Sequence, residues 1–471
     1  MRTKIIILGG GIAGLAAGYF LSQSGKYEVT ILEQAPFTGG LCGSFEYNGF
    51  TLDYGAHKMY STIPGILEDL KKCMGQRLLQ LPKKNRIYLK GHLLDYPLKL
   101  GNLLKALGLG TFLKLGFGYA VAVLLGMVSR KNPVSYEDYM KQCFGAPTYE
   151  LVFEPLADKV WGDPSKLHAE MARTRVPATN GLEVILRLLG IKKETTDTNA
   201  DFFYYPKKGF GDFPNTLKKD IEDKGGKVIC SIRGTKCHKT ADKVTQIEIN
   251  VEGQSKVLDC DYLISTIPLP VLSRLVFADK PVDFKHFVDE LQFRHLNLVF
   301  IEINRPLVLE DQWIFFPEKE YIFSRIFEQK QMNPELGPKD KTVICCDFTC
   351  DDESWQWKAG DDQIVQSCID GLVKAGFIKA MEVNSYFVKR YRNFYPRYDV
   401  DYVQKIQACS SQLQQVKNLL LTGRLGMYNY NNSDHCFDMA KFISHELEQS
   451  KPTHEIWQAL EKRVTSYRIV D

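Results

Sequence analysis

The 471-residue sequence lacks several patterns that would assign it quickly to a class. Its twelve cysteines include no CxxC pair and no histidine-flanked metal spacing. We therefore expect no metal site, and a reduced cytoplasmic setting rather than a disulfide scaffold. No Lys/Arg block stands out at a net charge of +4, which argues against nucleic acid as a partner. Repeats, low-complexity linkers and a Ser/His/Asp or Cys/His catalytic arrangement are also missing from the sequence.

An uninterrupted hydrophobic run of membrane-spanning length is lacking as well. The strongest apolar stretch is 98–128, and its uncharged part, 115–128, falls short of the ~20 residues that cross a bilayer. Lys105 and Lys114 interrupt the longer run. We expect a pair of helices packed within a helical domain. The alternative is a surface that contacts a membrane or receives a lipid-bearing substrate. Because a strand begins almost at the first residue, no signal peptide is expected.

The first fifty residues contain a complete dinucleotide-binding pattern. Residues 4–8 are a β-branched run typical of a strand buried on both faces. A GGGIAG turn, a small-residue helix and a second strand ending in an acid follow. Such glycines allow a tight turn and a close backbone approach, the helix N-terminus attracts a pyrophosphate, and the acid accepts bonds from a ribose. The predicted dinucleotide-binding residues are Gly9, Gly11, Ile12, Ala13, Gly14 and Glu33.

Residues downstream of this pattern indicate FAD. A Gly-Gly turn follows the acid after a short spacer, and residues 53–57 read DYGAH. This order resembles the FAD-binding start of the flavin amine oxidase superfamily, which includes protoporphyrinogen oxidases, carotenoid desaturases and UDP-galactopyranose mutases. Many members carry arginine where this chain has Leu41. The further cofactor-binding residues that the resemblance implies are Gly39, Gly40, Leu41, His57 and Val228.

The C-terminal part carries the most specific similarity. Residues 423–435 read GRLGMYNYNNSDH, between a buried strand and a helix. They resemble the C-terminal flavin motif of UDP-galactopyranose mutases and of their protoporphyrinogen-oxidase-like relatives. Arg424 can pair with a cofactor phosphate through two parallel bonds, and the N-terminus of the following helix can face the flavin. The resemblance adds Gly423, Arg424, Asp434 and His435 to the cofactor-binding residues.

The same resemblance implies a substrate site beside the flavin. Arg175 and Arg325 match the two arginines that hold the substrate diphosphate in the mutases, although either could instead be a structural ion-pair residue. With His57 they are the candidate catalytic residues. Phe315 stands where the family usually has tyrosine, and Lys99 opens a pair that is Gln-Asn in the family. The predicted substrate-binding residues are Tyr96, Lys99, Arg175, Phe315, Arg325, Tyr430 and Asn432.

We predict an α/β fold that combines an FAD-binding Rossmann-like domain, a helical insertion and an antiparallel β-sheet domain. The FAD-binding domain is expected to be discontinuous, because strand and turn patterns typical of it return after the helical segment. The predicted boundaries are 1–95, 205–285 and 405–450 for the FAD-binding domain, 96–204 for the helical domain, 286–404 for the antiparallel sheet domain that holds substrate, and 451–471 for a C-terminal tail.

Two functions remain open on the sequence. The mutase-like motifs imply an enzyme that acts on a nucleotide-diphosphate sugar through reduced flavin N5. The alternative is an FAD-dependent oxidoreductase of the protoporphyrinogen oxidase, amine oxidase or desaturase type, which removes hydride from an apolar substrate. Arg175, Arg325 and Arg424 favour the first. In either case we expect a small-molecule substrate and a cytoplasmic enzyme, with membrane contact through 98–128 as the alternative location. The sequence does not set the oligomeric state.

Overall fold

The structure is a computed structural model, and it describes residues 2–95, 100–128, 132–175, 202–278 and 288–469. Tyr96 and Lys99, two of the predicted substrate-binding residues, lie outside the described residues. The strands of the described residues are β1 (Thr3–Leu8), β2 (Tyr27–Leu32), β3 (Ser44–Tyr47), β4 (Phe50–Asp53), β5 (Leu78–Pro82), β6 (Asn85–Leu89), β7 (His92–Asp95), β8 (Phe202–Pro206), β9 (Lys227–Ile229), β10 (Arg233–Thr240), β11 (Lys243–Val251), β12 (Gln254–Asp259), β13 (Tyr262–Ser265), β14 (Phe293–Ile303), β15 (Trp313–Phe315), β16 (Arg325–Glu328), β17 (Thr342–Cys350), β18 (Val383–Pro396) and β19 (Leu419–Leu421).

A parallel sheet with the strand order β19–β13–β1–β2–β9 forms the centre of the dinucleotide-binding part. β1 pairs with β2 on one side and with β13 on the other. Side chains on both faces of β1 are buried, as expected for a parallel strand covered on both sides, and Ile5 and Ile7 are fully inaccessible to solvent. The chain returns to this sheet twice, through β9 and β13 and then through β19. The predicted Rossmann-like α/β fold is confirmed.

A second sheet has the strand order β18–β14–β17–β16–β15–β6–β7. The segment 286–404, for which an antiparallel sheet domain was predicted, contributes β14 to β18 to this sheet. Two features differ from the sequence analysis. β6 pairs in parallel with β15, so residues 85–95 join this sheet although they were assigned to the FAD-binding domain. The fourteen-residue edge strand β18 had no predicted counterpart.

Helices pack on both sheets and make up much of the described part of the insertion between β7 and β8. The α-helices of the described residues are Ile12–Gln23, Ile66–Met74, Leu100–Val128, Tyr136–Phe144, Ala146–Thr148, Glu154–Trp161, Glu170–Arg173, Asp212–Asp223, Leu269–Val276, Trp355–Lys358, Asp361–Lys374, Tyr402–Leu413, Gly423–Gly426, Ser433–Glu448 and Thr453–Val464. The last of these lies in the predicted C-terminal tail, and it packs Ile456 and Trp457 into the protein interior.

Within the apolar stretch 98–128 the described residues Leu100–Val128 form two helical segments that join at Gly108, so the expected pair of helices is present, although it is less packed than expected. The φ of Gly108 is 75°. Taken as one long helix, Leu100–Val128 is the one helix among the described residues that is long and apolar enough to cross a membrane, over Ala106–Leu125. Most of that span is exposed rather than packed.

Candidate cofactor and active site

Three glycine-rich segments meet at the carboxyl end of β1. Gly9 adopts a φ of 100°, which turns the chain sharply away from the strand. The N–H of Gly39 donates to the carbonyl of Gly10 at 2.8 Å. Gly423 packs so closely on the first helix that a Cβ at this position would lie 2.6 Å from the Cβ of Ala13. The three predicted segments are therefore adjacent in space, and we call them the glycine cradle (residues 9–14, 39–40 and 423).

The glycine cradle fits the pyrophosphate of a dinucleotide. A Cβ built at Gly11 would meet no atom within 4 Å, so open space lies against the backbone there. At Gly14, by contrast, a Cβ would lie 1.9 Å from the carbonyl oxygen of Gly9. The helix therefore packs so closely on the glycine turn that only glycine fits at this position. The helix Ile12–Gln23 has no side-chain cap among the described residues. Its amino end can therefore donate N–H groups to phosphate oxygens.

Glu33 and Val228 come together on neighbouring strands at the edge of the parallel sheet. The carboxylate of Glu33 accepts the N–H groups of Gly10 at 2.6 Å and Ala35 at 2.8 Å. Its own N–H donates to the carbonyl of Ile229 at 2.9 Å. A carboxylate can accept about four hydrogen bonds, so the two that Glu33 accepts from backbone N–H groups leave acceptor sites for the hydroxyls of a ribose. Leu41 lies in a short 3-10 helix that directly follows the Gly-Gly turn.

Arg424 makes a different contact from the predicted phosphate pair. Its Nε and Nη2 donate to the carbonyl oxygen of Asn431 at 3.0 and 2.8 Å, which closes the loop between residues 424 and 431. Its guanidinium also lies 5.1 Å from the ring centre of Tyr395 and 5.7 Å from that of Tyr430. The two donors expected to bind a cofactor phosphate are thus used within the protein. Arg424 holds in place the loop that carries Tyr430.

The amino end of the helix Ser433–Glu448 is fixed by the predicted polar residues. Asn432 is its N-cap and forms a capping box with His435. The His435 ring stacks on Tyr467 with centres 4.5 Å apart. Asp434 accepts a hydrogen bond from the hydroxyl of Ser61 at 2.7 Å. Because these side chains already have protein partners, they orient the helix, and its backbone N–H groups are what it can offer to a flavin.

The loop that carries His57 is anchored at Asp53, which is 1% exposed. Its carboxyl group accepts hydrogen bonds from the hydroxyl of Ser44 at 2.6 Å, from the N–H of Phe210 at 3.0 Å, and from the hydroxyl of Tyr205. Gln329, which follows β16 in the chain, donates in turn to the Tyr205 hydroxyl. Burial raises the pKa of Asp53, and these donors oppose the shift. The network connects the dinucleotide-binding part to the second sheet.

His57 has a buried ring nitrogen without a partner. Its ring stacks on Phe210 with centres 4.8 Å apart, and Nδ1 makes no hydrogen bond to any described residue. Burial lowers the pKa of His57 to about 3, and the charges of Arg325 and Arg424 act in the same direction. The imidazole is therefore neutral at physiological pH. An unpaired buried polar atom is costly unless a bound group satisfies it, which fits a cofactor or substrate atom at this position.

Arg175 lies between two aromatic rings. Its guanidinium carbon is 4.5 Å from the centre of the Trp161 ring and 4.6 Å from that of Tyr430, and its Nη1 donates to the carbonyl of Met171 at 2.8 Å. The indole of Trp161 donates to the hydroxyl of Tyr430 at 2.7 Å, which locks the two rings together. Within the described part of the chain Arg175 has no ion pair. An anion could therefore approach it without displacing a carboxylate.

Arg325 is already paired. Its Nε and Nη2 both donate to one carboxylate oxygen of Asp347, at 2.8 and 2.5 Å, and Asp347 is 4% exposed. Burial raises the pKa of Asp347 while Arg325 opposes the rise. Phe315 stands opposite Arg325 in the pairing of β15 with β16. The two predicted substrate residues are thus neighbours, and the guanidinium of Arg325 is held by the carboxylate of Asp347.

Most of the predicted site residues converge on one region. Arg424 lies close enough to influence the pKa values of both His57 and Tyr430, and Arg175 also acts on Tyr430. The sequence analysis did not identify Asp347 or Tyr395 as members of this region. Asp347 is the single charge within the strand TVICCDFTC, and an acid in an otherwise apolar strand signals a buried partner. Tyr395 carries no comparable signal.

Comparisons with known proteins agree with this arrangement. Residues 12–430 match the family described as flavin containing amine oxidoreductase. A coproporphyrinogen III oxidase of Bacillus subtilis (strain 168) is 22% identical over 435 residues, which span 86% of this chain and 90% of that protein. A phytoene dehydrogenase of Streptomyces griseus is 24% identical over 60% of this chain and 58% of that protein. A crystal structure of reduced UDP-galactopyranose mutase superposes with a TM-score of 0.81 at 21% identity, covering 99% of this chain and 98% of that one.

The chain therefore belongs to the flavin containing amine oxidoreductase family. It is an FAD-dependent enzyme. The likeness to the mutase structure establishes the fold and leaves the reaction to be argued from the site.

Proposed function

We propose that this enzyme acts on a nucleotide-diphosphate sugar by UDP-galactopyranose mutase-like chemistry. The observation that carries the proposal is Arg175, an arginine held between Trp161 and Tyr430 without an ion pair among the described residues. A guanidinium oriented by aromatic stacking offers two parallel donors to a phosphate group. Arg325 and Arg424 add positive charge nearby, as a doubly charged diphosphate would require.

Each residue of the region has a separate task in this mechanism. When bound and reduced, FAD would supply the nucleophile that reacts at the anomeric carbon of the sugar. Arg175 would bind the diphosphate and neutralise the charge that develops as it leaves. Arg325, oriented by Asp347, would approach the same group from the second sheet. His57 would accept or donate one hydrogen bond as a neutral ring, because its pKa is too low for it to act as a cation. Tyr430 and Phe315 would exclude water around the sugar.

Arginine variants test the diphosphate contact. Replacing Arg175 with alanine should weaken the binding of a nucleotide sugar by about 2–5 kcal/mol, the usual cost of removing one partner from a buried charged contact. The same change at Arg325 should have a similar effect. Binding is measured by titration calorimetry of the flavin-loaded protein with a panel of nucleotide sugars. The panel is needed because Phe315 replaces the family's usual tyrosine.

Two arginines serve as matched controls. Arg173 is the last residue of the short helix Glu170–Arg173, two positions before Arg175. It lies over the ring of Tyr139 and donates to the carbonyl of Pro133, but it is not part of the region around Tyr430. Arg86 pairs with Asp311 in the same sheet and with the same geometry as Arg325 with Asp347. Alanine at either control position should leave sugar binding unchanged. Loss of flavin in the Arg175 and Arg325 variants, rather than loss of sugar affinity, would reassign these arginines to the cofactor or to folding.

A second candidate function has its own supporting observation. The coproporphyrinogen III oxidase relative spans nearly the whole chain, and arginines that fit a diphosphate also fit substrate carboxylates. In that case the enzyme would remove hydride from a largely apolar substrate that carries acidic groups. Binding of a carboxylated tetrapyrrole that depends on Arg175, with no binding of any nucleotide sugar, would favour this second function.

A further inference from the structure

The long helix (Leu100–Val128) presents two chemically different faces. On one face Gly118 lies against the helix Ala146–Thr148, where a Cβ at Gly118 would come within 2.4 Å of Pro147. A Cβ at Gly145 would likewise lie 2.4 Å from the carbonyl oxygen of Gly118. Ala122, one turn further on, is buried. Small residues thus allow this face of the helix to pack directly against the backbone of residues 145–147, and this contact fixes the orientation of the helix.

The opposite face is apolar and open to solvent. Leu109, Leu113, Phe117 and Leu124 are 63%, 60%, 74% and 64% exposed, and their spacing of four, four and seven residues places them on one side of the helix. We call these four residues the apolar stripe. Exposed leucines are ordinary when they are isolated. A row of exposed apolar side chains along about four helical turns is not ordinary, and it marks a surface that meets another apolar phase.

The charge of the sequence that contains the apolar stripe indicates which phase that is, and Lys114 is the cation of this segment whose side chain the structure describes. Between Asp95 and Glu137 the sequence contains no acidic residue, and its five cations are Lys99, Lys105, Lys114, Arg130 and Lys131. Lys114 is exposed at the edge of the stripe. Cations beside an apolar face complement the anionic headgroups of a bilayer. A symmetric contact with a second copy of this chain would instead bring the same cations together, which opposes that occupant.

The geometry also favours lying on the membrane over crossing it. A spanning helix would need lipid on all sides, whereas one side of this helix is packed on Pro147 and its neighbours. Crossing would also place Lys114 within the hydrocarbon. We propose that the enzyme docks peripherally on anionic membranes, with the long helix parallel to the surface and the apolar stripe inserted at the headgroup boundary. The proposal does not depend on which substrate the site takes.

Vesicle flotation of the flavin-loaded protein tests this docking. The wild-type protein should bind vesicles of phosphatidylcholine mixed with phosphatidylglycerol, bind pure phosphatidylcholine on the order of tenfold more weakly, and lose affinity with added salt. The double variant Leu113→Glu and Phe117→Glu should lose on the order of tenfold or more in vesicle affinity. Lys114→Gln should reduce the preference for vesicles that contain phosphatidylglycerol and leave the binding to pure phosphatidylcholine unchanged. The matched control is Phe202→Glu, at an exposed phenylalanine outside the stripe, which should bind as the wild type does.

The same samples decide between the possible outcomes. Bound flavin and the melting temperature should be unchanged in every variant, which shows that loss of binding is not loss of folding. If no vesicle binds the wild-type protein, or if the double variant binds as well as the wild type, the proposal is wrong. It is also wrong if the wild-type protein is a dimer by analytical ultracentrifugation that ignores vesicles while the double variant is a monomer, because the stripe is then a contact between copies.

Discussion

Single side chains in the site region differ in whether the protein itself satisfies them. Arg325 has a buried carboxylate as its partner, and Arg424 has a backbone carbonyl. His57 keeps an unpaired ring nitrogen, and Arg175 has aromatic and carbonyl contacts only, within the described residues. A ligand binds most favourably to side chains that break no hydrogen bond or ion pair within the protein when they contact the ligand. His57 and Arg175 are therefore the two side chains that a cofactor or substrate should engage first.

The glycine cradle can be tested at a single atom. Gly11→Val should leave the protein folded, because its added Cβ points into open space, but it should abolish FAD binding, because the side chain fills the place of the pyrophosphate. The purified variant should be colourless, with a far-ultraviolet circular dichroism spectrum like that of the wild type. Gly14→Val is the contrasting variant, since its Cβ would strike the carbonyl of Gly9, and it should fail to fold. A yellow Gly11→Val protein would contradict the assignment of this cradle to FAD.

The depressed pKa of His57 predicts a pH dependence of stability. The folded protein holds this histidine neutral down to a pKa of about 3, whereas the unfolded chain protonates it near 6.5. Below about pH 6.5 the unfolded chain therefore binds a proton at His57, whereas the folded protein does not. The free energy of unfolding then falls as the pH is lowered, by up to about 1.4 kcal/mol per pH unit, and this contribution is present in full above about pH 6.5. His57→Gln should remove this slope between about pH 6.5 and pH 5 in urea unfolding. His454→Gln, at an exposed position, is the control and should keep it.

At the scale of elements, local pattern was sufficient for some parts of the structure and insufficient for others. The strand, turn and helix around residues 4–23 were predictable, because their glycine spacing and β-branched run have a direct steric meaning. β18 was missed because lysines and arginines alternate with its aromatic residues, so it lacks the apolar run of a core strand. The placement of β6 beside β15 joins residues more than two hundred positions apart, and no local pattern encodes such a pairing.

The candidate site divides in the same way. The glycine-rich segments follow from residue type and were predicted. Asn432 was predicted as a substrate-binding residue, and the structure shows it as the N-cap of the helix Ser433–Glu448. The side-chain pairings were not predicted, because a guanidinium can bond a phosphate, a carboxylate or a carbonyl with similar geometry. Arg424 illustrates the point, since it was predicted to bind a cofactor phosphate and its Nε and Nη2 donate to the carbonyl oxygen of Asn431.

Hydrogen bonds through the hydroxyl of Tyr205 connect β4 and β8 to the segment that follows β16 in the second sheet. Tyr205→Phe removes the hydroxyl that links Asp53 to Gln329 and leaves both groups short of a partner, which should cost about 1–3 kcal/mol of unfolding free energy. Flavin affinity should fall as well, because Asp53 anchors the loop that carries His57. Tyr204→Phe is the matched control on the same strand, since its hydroxyl is at the surface and makes only a long contact of 3.5 Å to Gln80. Equal stability of the two variants would show that the network does not support the loop.

At the scale of the whole molecule, the fold alone is compatible with both proposed reactions. The architecture is that of a mutase of known structure, and an oxidase is similar in sequence over most of the chain. The difference must therefore lie in what surrounds the flavin. Arginines in a partly aromatic region favour an anionic substrate, and they do so without specifying whether its acid is a diphosphate or a carboxylate.

Electron stoichiometry separates the two reactions. A mutase-like enzyme must be reduced before it can work, and it then consumes no reductant or acceptor as product forms, whereas an oxidase consumes one acceptor for each product. We expect the dithionite-reduced protein to convert one member of a panel of nucleotide sugars to a ring isomer, followed by chromatography, with no dioxygen uptake that scales with product. The oxidised protein should be inactive on the same compound. Arg173→Ala should behave as the wild type in this assay, and Arg175→Ala should lose most of the conversion while it retains FAD. Peroxide formed in equal amount to product from a carboxylated or apolar substrate, together with no conversion of any sugar in the panel, would overturn the mutase-like assignment and establish the oxidoreductase in its place.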